Sequence, residues 1–291
     1  MTSKKQVVSD IEYSLGLKTT LETYQEIAAT RMQRIRNSVI SSRNFLLGIN
    51  TIFQQVKSSY LPASVLSRRR WQAGKAPKTF LKTNGRTLFV FISANTGLYG
   101  DVIKRTFDVF VKELKKQNRD VTDVAIIGRL GVKLFQEEFP KKQLSFFELS
   151  DNKIDHEVIK KIIPYLIQYE NVIVFYEQFQ SIITTLPIAT SISGDRLPWE
   201  KSKFGEIKYN FEPSLEKVMA FFEKEIFASI FEQVVYESLL AKFSSRMVAL
   251  EDATENIQDN LKRAILQKDR IKHQEQNKKQ NERLSSMSLW G

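Results

Sequence analysis

Cysteine is absent from the 291 residues of this chain, and histidine is scarce. The lack of cysteine excludes disulfides, a thiol nucleophile and a cysteine-ligated metal, and it suits a reducing compartment such as the cytoplasm. The two histidines, His156 and His273, lie far apart in the sequence on different predicted elements. His156 follows Asp155 at a predicted helix start, where we expect a solvated side chain. No pattern around either histidine indicates a catalytic base or a metal site.

Long hydrophobic runs are missing as well. The first ten residues mix Lys4, Lys5 and Asp10 without an apolar stretch, so they do not resemble a secretory signal. No later segment approaches the roughly 20 apolar residues that a membrane-spanning helix needs. We therefore expect a cytoplasmic chain that is at most peripheral to a membrane.

Phosphate-binding motifs are also lacking. The segment from Ala94 to Gly100 follows a predicted strand and carries Gly97 and Gly100, yet it lacks both the three-glycine dinucleotide fingerprint and the Lys-Ser/Thr of a phosphate loop. We interpret Gly97 and Gly100 as parts of a tight structural turn. The sequence therefore predicts no catalytic residue, no bound cofactor and no metal.

Positive charge is in excess, with 44 Lys and Arg against 33 Asp and Glu and a net charge of +11. The segment from Lys262 to Arg283 holds eight basic and three acidic residues, and Arg68, Arg69 and Arg70 form a second cluster. Such an excess is typical of chains that bind nucleic acid, anionic lipid or an acidic protein. A nucleic-acid-binding protein with a basic helical arm is therefore an alternative, although no recognised binding motif or interleaved aromatic patch accompanies it.

Apolar and small residues recur at spacings of three and four near both ends of the chain. The N-terminal series is Leu17, Leu21, Tyr24, Ala28, Met32, Ile35, Val39, Ser42, Leu46, Ile49, Phe53, Val56 and Tyr60, and the C-terminal series is Phe243, Met247, Leu250, Thr254, Ile257, Leu261, Ala264, Lys268 and Ile271. One helix cannot bury so narrow a stripe alone, so the pattern predicts that the two terminal helices pair as an antiparallel coiled coil. Packing on a globular core and pairing with a second copy are the alternatives that periodicity leaves open.

Between these helices, strand-like and helix-like segments alternate. The predicted strands span 87–93, 121–127, 144–149 and 172–179, the predicted helices span 101–117, 130–138 and 155–169, and one or two edge strands are expected within 181–211. This order predicts a mostly parallel sheet with helices on both faces, a small Rossmann-like α/β domain. The predicted layout is an N-terminal helix over 1–60, a basic linker over 61–86, the α/β domain over 87–212, a C-terminal helix over 213–284 and a frayed tail over 285–291.

Several segments resemble the gamma subunit of F-type ATP synthases. The string from Ser245 to Asn256 resembles the family's C-terminal signature, in which an Arg-Met-x-Ala-Met run is followed by Ala-Thr-x-Asn. The turn from Ser93 to Gly100 is similar to the family's Thr-Ser-Asp-(Arg/Lys)-Gly-Leu-(Cys/Ala)-Gly. Weaker matches occur at Tyr209 to Ser214, Ile230-Phe231, Glu237-Ser238, Gly128 to Phe135 and Ile27 to Arg34, so the resemblance covers almost the whole chain in the right order.

The resemblance implies an antiparallel coiled coil of the terminal helices with an inserted Rossmann-like domain at its foot. It also implies the role of a rotating central stalk inside a ring of alternating alpha and beta subunits, with an epsilon-like subunit and a membrane c-ring or a replacement module at the foot. In that role the chain binds no nucleotide, cofactor or nucleic acid, is not itself an enzyme and does not span the membrane.

The residues that match the family's motifs are the ones expected to pack within the shaft and to contact the ring. For shaft packing and ring contact these positions are Ala28, Arg31, Arg34, Arg246, Met247, Ala249, Thr254 and Asn256. The ordinary role of arginines on a coiled coil is a surface ion pair or a snorkelling side chain, and this alternative stays open.

The chain also departs from the family pattern. The Asp and the basic residue of the turn are replaced by Asn95 and Thr96, and a Ser-Glu pair before the last motif is replaced by Ala241 and Lys242. Residues 274–283 are polar and basic where the family has an apolar tip. We interpret these differences as marks of a divergent member of the family. A specialised F-type-like ATPase, of the kind that some mycoplasmas carry, is one interpretation, and a complex that synthesises ATP is the alternative that stays open.

Overall fold

The computed structural model describes residues 4–65, 81, 83–97, 99–117, 122–193 and 212–288. The helices are α1 (Lys4–Val65), α2 (Val102–Lys116), α3 (Arg129–Glu138), α4 (His156–Leu166) and α5 (Leu215–Ser288). The strands are β1 (Thr87–Ile92), β2 (Thr122–Ile127), β3 (Ser145–Phe147), β4 (Asn171–Phe179) and β5 (Thr185–Ser191).

The strands form one five-stranded sheet in the order β3-β2-β1-β4-β5. The first four are parallel neighbours, and Thr87 of β1 pairs with Thr122 of β2 on one side and Asn171 of β4 on the other. The last strand, β5, pairs antiparallel with β4. A parallel sheet needs cover on both faces, which explains why β1 is a continuous run of buried apolar residues. The predicted Rossmann-like α/β domain is therefore confirmed.

Two hydrophobic clusters lie on the opposite faces of the sheet. Phe89 and Phe91 of β1 pack with the inner sides of α2 and α3. Leu88 and Val90 point to the other face, as alternation along a strand requires, and pack with α4 and α5. The residues that α5 contributes to this second cluster are Phe227, Phe231, Val234 and Val235. The core of the sheet therefore extends beyond residue 212, where the sequence suggested that the α/β domain ends.

The chain divides into two compact units, and α1 and α5 contribute to both. In the unit formed by residues up to Thr30 and from Arg246 onward, Lys4 Nζ lies 2.7 Å from Glu275 Oε2 and Gln25 Nε2 lies 3.3 Å from Glu251 Oε2. These pairings run antiparallel along the two helices.

The unit formed by Arg31–Ser245 contains the sheet and its own α1–α5 contacts. Arg43 Nη2 of α1 lies 2.7 Å from Glu237 Oε1 of α5. Further along, Phe53 and Val56 of α1 pack with Met219 and Ile226 of α5. The same antiparallel direction holds here, so the predicted antiparallel coiled coil is confirmed.

Both long helices extend beyond their predicted ends. Helix α1 begins at Lys4, ahead of Leu17, where the predicted apolar series starts, because Val7 is buried and Lys4 pairs with Glu275, so the first turns have packing partners. It continues to Val65, five residues into the segment that was interpreted as a linker. Helix α5 continues to Ser288, four residues into the predicted frayed tail. Most of the predicted linker, including Arg68, Arg69 and Arg70, and the last three residues lie outside the described residues.

The buried stripe of α1 differs from the predicted one before Ala28. Leu17 and Tyr24 are 37% and 53% exposed, whereas Lys18 and Gln25 are half-buried in their place. The physical reason is that Gln25 donates a hydrogen bond to Glu251 of α5 and Ala28 is almost completely buried. The face of α1 that meets α5 therefore contains Gln25 instead of Tyr24, and Tyr24 faces outward. From Ala28 to Val56 the predicted positions are buried or half-buried. On α5 the predicted stripe holds as far as Ala264, whereas Lys268 is exposed.

The shared core leads to a stability prediction for α5. Phe231 is fully buried against the sheet, whereas Phe221 on the same helix is 59% exposed. We expect Phe231→Ala to lower the free energy of unfolding by about 3 to 5 kcal/mol through lost burial and a cavity. Urea unfolding followed by circular dichroism measures this loss, with Phe221→Ala as the matched control. Equal effects of the two substitutions would contradict the role of α5 in the core.

Candidate functional site

The carboxyl ends of the parallel strands are the place where open α/β sheets bind ligands. In this protein that edge is covered by one short stretch of α5. The Lys242 ammonium group donates a hydrogen bond to the backbone oxygen of Ser93, the residue after β1. Ser245 Oγ donates to the Tyr99 oxygen at 2.8 Å, and Ser244 Oγ donates to the oxygens of Ser181 and Ile182 in the β4–β5 hairpin. The crevice that would accept a ligand is thus filled by the protein's own helix.

Asp151 holds the turn after β1 in place through hydrogen bonds to Asn95 and Thr96. Its Oδ2 atom accepts hydrogen bonds from Asn95 N at 2.8 Å, Thr96 N at 2.9 Å and Thr96 Oγ1 at 3.1 Å. Asn95 extends the network, because its amide donates to Leu149 O at 2.6 Å and accepts from Arg129 N at 3.1 Å. A carboxylate that accepts two backbone N–H bonds fixes the conformation of a turn, as at a helix N-cap. The turn is therefore fastened to the segment that follows β3.

The two glycines of this turn have different roles. Gly100 has a φ of +58°, and a Cβ atom there would lie 2.8 Å from Ser245 Oγ, so glycine is required both by conformation and by the close approach of α5. At Gly97 an added Cβ atom would meet no heavy atom within 4 Å beyond its chain neighbours, and φ lies outside the left-handed region. The structural role expected of Gly100 has a direct physical basis, whereas the role of Gly97 stays a prediction.

Lys242 is the most unusual ionisable group of this region. Burial lowers the pKa of its ammonium group from 10.5 to about 8, and the negative charge of Asp151 offsets part of this shift. The neighbouring residues Leu239, Leu240, Ala241 and Phe243 are all buried. Lys242 thus places a cation in an apolar stretch, where only a nearby acceptor and a counter-charge make it tolerable.

A second buried charge on α5 is Glu237, which is 4% exposed. Its carboxylate accepts hydrogen bonds from Arg43 Nη2 at 2.7 Å, Gln233 Nε2 at 3.1 Å and Tyr176 Oη at 3.3 Å. Burial, and then the charge of Glu237, raises the pKa of the Tyr176 hydroxyl to about 12. Glu237 therefore joins α1, α5 and β4 at one point.

A third buried charge, Glu177 of β4, fixes α2 and β5 to the sheet. It accepts hydrogen bonds from Arg105 Nη2 at 2.6 Å, Thr106 Oγ1 at 2.8 Å and Thr185 Oγ1 at 2.7 Å. Glu177 therefore has hydrogen-bond partners on β5 and α2 within the protein.

The predicted shaft and ring residues have different environments. Arg31 donates a hydrogen bond to Asn152 Oδ1, next to Asp151. Ala28 and Thr254 are buried, and Thr254 Oγ1 donates to Leu250 O at 2.8 Å. The other predicted residues are half-buried (Arg246, Met247 and Ala249) or exposed (Arg34 and Asn256). Arg31 thus binds the sheet domain, and the ring contacts of the remaining residues stay a prediction.

Sequence reasoning missed the roles of Asp151, Glu237 and Lys242 at the contacts between α5 and the sheet. In the sequence, Lys242 is marked only as a departure from the family pattern. A usable signal was present at Lys242, because the run from Leu239 to Phe243 is otherwise apolar. When a helix is apolar on all sides, every side packs against other parts of the protein, so a single charged residue within that stretch is buried as well.

The described part of the chain contains no cluster of three or more His, Asp or Glu side chains that could hold a metal ion. His156 is 60% exposed, as expected, and its Nδ1 lies 2.9 Å from Glu232 Oε1. No helix in the described ranges is long and apolar enough to cross a membrane.

The shifted pKa of Lys242 predicts a pH dependence of stability. Because the folded pKa of about 8 lies below the unfolded value of 10.5, the unfolded chain holds more protons between these values, and stability rises with pH there. Between pH 7 and pH 9.5 we expect the wild-type free energy of unfolding to rise by about 2 kcal/mol relative to Lys242→Met. Urea unfolding at both pH values measures the difference, and parallel pH profiles would contradict the buried cation.

Comparisons with known proteins agree with the family that the sequence resembles. A family model described as ATP synthase matches residues 7–276. The ATP synthase gamma chain of Rickettsia canadensis is 22% identical over 283 residues, covering 93% of each chain. The gamma chain of Pelotomaculum thermopropionicum is 22% identical and covers 84% of each chain, and that of Mycoplasma mobile is 23% identical and covers 79% of each. These comparisons give no support to a nucleic-acid-binding protein.

Solved structures show the same fold. The central stalk and c-ring structure of the Tetrahymena thermophila mitochondrial ATP synthase contains a chain that is 19% identical, with a TM-score of 0.56 over 80% of this chain and 99% of that one. A chain of the Euglena gracilis mitochondrial ATP synthase is 13% identical, with a TM-score of 0.51 over 90% of this chain and 95% of that one. Together with the family match over nearly the whole length, these findings identify the protein as a member of the ATP synthase gamma-chain family.

Proposed function

We propose that this chain is the central-stalk rotor of an F-type ATPase and turns inside a ring of alternating alpha and beta subunits. The observation that carries the proposal is the antiparallel pairing of α1 and α5, with α5 also forming part of the sheet core. Paired helices restrain each other's bending, which gives a shaft the stiffness that torque requires. Torque on the shaft thereby reaches the sheet through a shared helix.

Coupling to ATP follows from the unequal faces of the shaft. In the N-terminal third of α1, Tyr13 and Tyr24 are exposed, whereas α5 exposes Glu251, Asp252 and Asn256. A ring that surrounds such a shaft meets a different surface at each beta subunit. Each beta site is then biased toward a different open or closed state, which is a population shift driven by differential contact.

The chain itself is the non-catalytic subunit in this proposal. ATP is bound and turned over at the beta sites of the ring. The carboxyl edge of the sheet supports this assignment, because Lys242, Ser244 and Ser245 occupy the place where a nucleotide would bind.

At the foot, the sheet domain is the part available to further subunits. The Tetrahymena structure contains a central stalk together with a c-ring. By analogy, we infer that this chain binds an epsilon-like subunit and either a c-ring or a replacement module at its foot. The complex is cytoplasmic and peripheral to the membrane in this proposal, and rotation of the stalk is coupled to ATP synthesis or hydrolysis at the beta sites.

Assembly with ring subunits tests the proposal. We expect the chain, co-expressed with alpha and beta subunits encoded beside it, to purify at one copy per ring. Ala28→Glu places a charge at a position that is 1% exposed and should abolish incorporation, because it separates the paired helices. Thr30→Glu, at an exposed position nearby, is the control and should assemble normally. Failure of the wild-type chain to enter the ring would refute the stalk assignment.

The polar end of α5 leads to a separate prediction. Residues 272–286 are exposed throughout, and α1 begins at Lys4 opposite Glu275, so the described part of α1 gives the last turns of α5 no cover. We expect deletion of residues 274–291 to weaken torque and the coupling of ATPase activity to rotation while circular dichroism shows a folded sheet domain. A variant with Lys278, Lys279 and Arg283 changed to Gln separates the effect of charge from that of length. Unchanged rotation after the deletion would show that this end is dispensable.

A further inference from the structure

Lys242 holds a position that packing alone does not explain. It is 5% exposed, and a Met or Leu would fill the same apolar stretch of α5 without placing a cation in a region of low dielectric. Helix α5 therefore keeps the lysine despite a free-energy penalty. In some proteins such a group specifies one geometry among several that apolar packing would allow, and we apply this hypothesis to Lys242.

The partner of Lys242 is the frame of the sheet rather than a mobile side chain. Ser93 follows β1, which lies at the centre of the strand order, and Ser93 N donates to Ile127 O of β2 at 2.7 Å. The Ser93 oxygen that accepts from Lys242 is therefore rigidly placed. Asp151 supplies the counter-charge and holds the two residues that follow Ala94. A fixed carbonyl oxygen beside a carboxylate is the chemistry of a primary-ammonium receptor.

Directionality separates this bond from the surrounding apolar contacts. Apolar burial between α5 and the sheet opposes separation, yet it is non-directional and allows the helix to slide or rotate by small steps. A charge-assisted hydrogen bond is roughly twice as strong as neutral bonds such as those of Ser244 and Ser245. It also holds only at one distance and angle. Lys242 thus resists rotation of α5 relative to β1 more strongly than the neutral bonds of Ser244 and Ser245 do.

We propose that Lys242 is the torque-bearing link between α5 and the sheet domain, its ammonium group held by the Ser93 backbone oxygen at the carboxyl edge of the sheet, with Asp151 as the nearby counter-charge. Lys242 is a positioning residue that acts through the helix. The mechanical part of this inference rests on the proposed stalk function, whereas the ammonium site does not depend on it.

The ammonium site is tested by chemical rescue. Lys242→Ala removes the side chain beyond Cβ and leaves a cavity whose shape and charge match n-propylammonium. We expect the variant to have a lowered Tm and millimolar n-propylammonium to restore at least half of the loss. Neutral n-propanol should not, and n-propylammonium should have no such effect on Lys242→Ala with Asp151→Asn. Equal rescue by n-propanol, or equal rescue with Asp151 replaced, would overturn the ammonium site.

The link is tested in the assembled complex by torque. The chain has no native cysteine, so Lys133→Cys on α3 gives a single attachment point for a probe on the sheet domain. We expect Lys242→Met to assemble but to show at least a twofold lower stall torque, with wider angular fluctuation of the probe. Lys224→Met, at an exposed position of α5, is the matched control and should behave as wild type.

The possible outcomes separate the two proposals. Wild-type rotation with an unchanged stall torque in Lys242→Met would overturn the link and leave the stalk function standing. If Lys242→Met fails to fold, Lys242→Ala is assembled in n-propylammonium, and a torque that does not depend on the amine overturns the link. A wild-type chain that assembles but does not rotate defeats the stalk function and the mechanical link together, while the rescue experiment still decides the ammonium site.

Discussion

The shared use of α5 is the constraint on which the rest of the structure depends. One helix supplies half of the paired-helix contacts and one layer of the cover over the sheet. Phe227 and Phe231 are buried by the sheet cluster, and Met219 and Ile226 are buried by α1. Loss of α5 would expose both surfaces at once, so the helix pair and the sheet domain between Arg31 and Ser245 form one cooperative unit. A chain whose proposed task is to carry torque gains from this arrangement, because α5 belongs to both the helix pair and the core of the sheet.

Buried charges fix the position of α5 on the sheet, which apolar packing alone does not determine. Glu237 fixes α5 to α1 and β4, and Lys242 fixes it to the end of β1. These two residues lie little more than one helical turn apart, so together they set both the height and the rotation of α5 on the sheet. Arg31 adds a bond from α1 to Asn152, beside Asp151. Both long helices therefore reach this region, where Lys242, Asp151 and Asn95 have their hydrogen-bond partners within the protein.

The sequence determines the strands and the helix pair because their signals are local. The apolar run of β1 and the alternation of strand and helix predict the sheet, and the three-four spacing after Ala28 predicts the buried stripe of α1. The shift before Ala28 was not predictable from hydrophobicity, because Tyr24 is more apolar than Gln25, and only the position of Glu251 on the other helix selects Gln25. The roles of Asp151 and Lys242 were missed for a related reason. They are distant in sequence, and neither residue has a local pattern that indicates its partner.

The assignment of this chain to a rotor makes a claim about motion that a single measurement tests. A probe attached through Lys133→Cys to the sheet domain, with the ring of alpha and beta subunits fixed to a surface, reports the angle of the chain during ATP hydrolysis. The account predicts sustained rotation in one direction that stops when ATP is removed. An assembled ring that hydrolyses ATP while the probe stays at a fixed angle would contradict it.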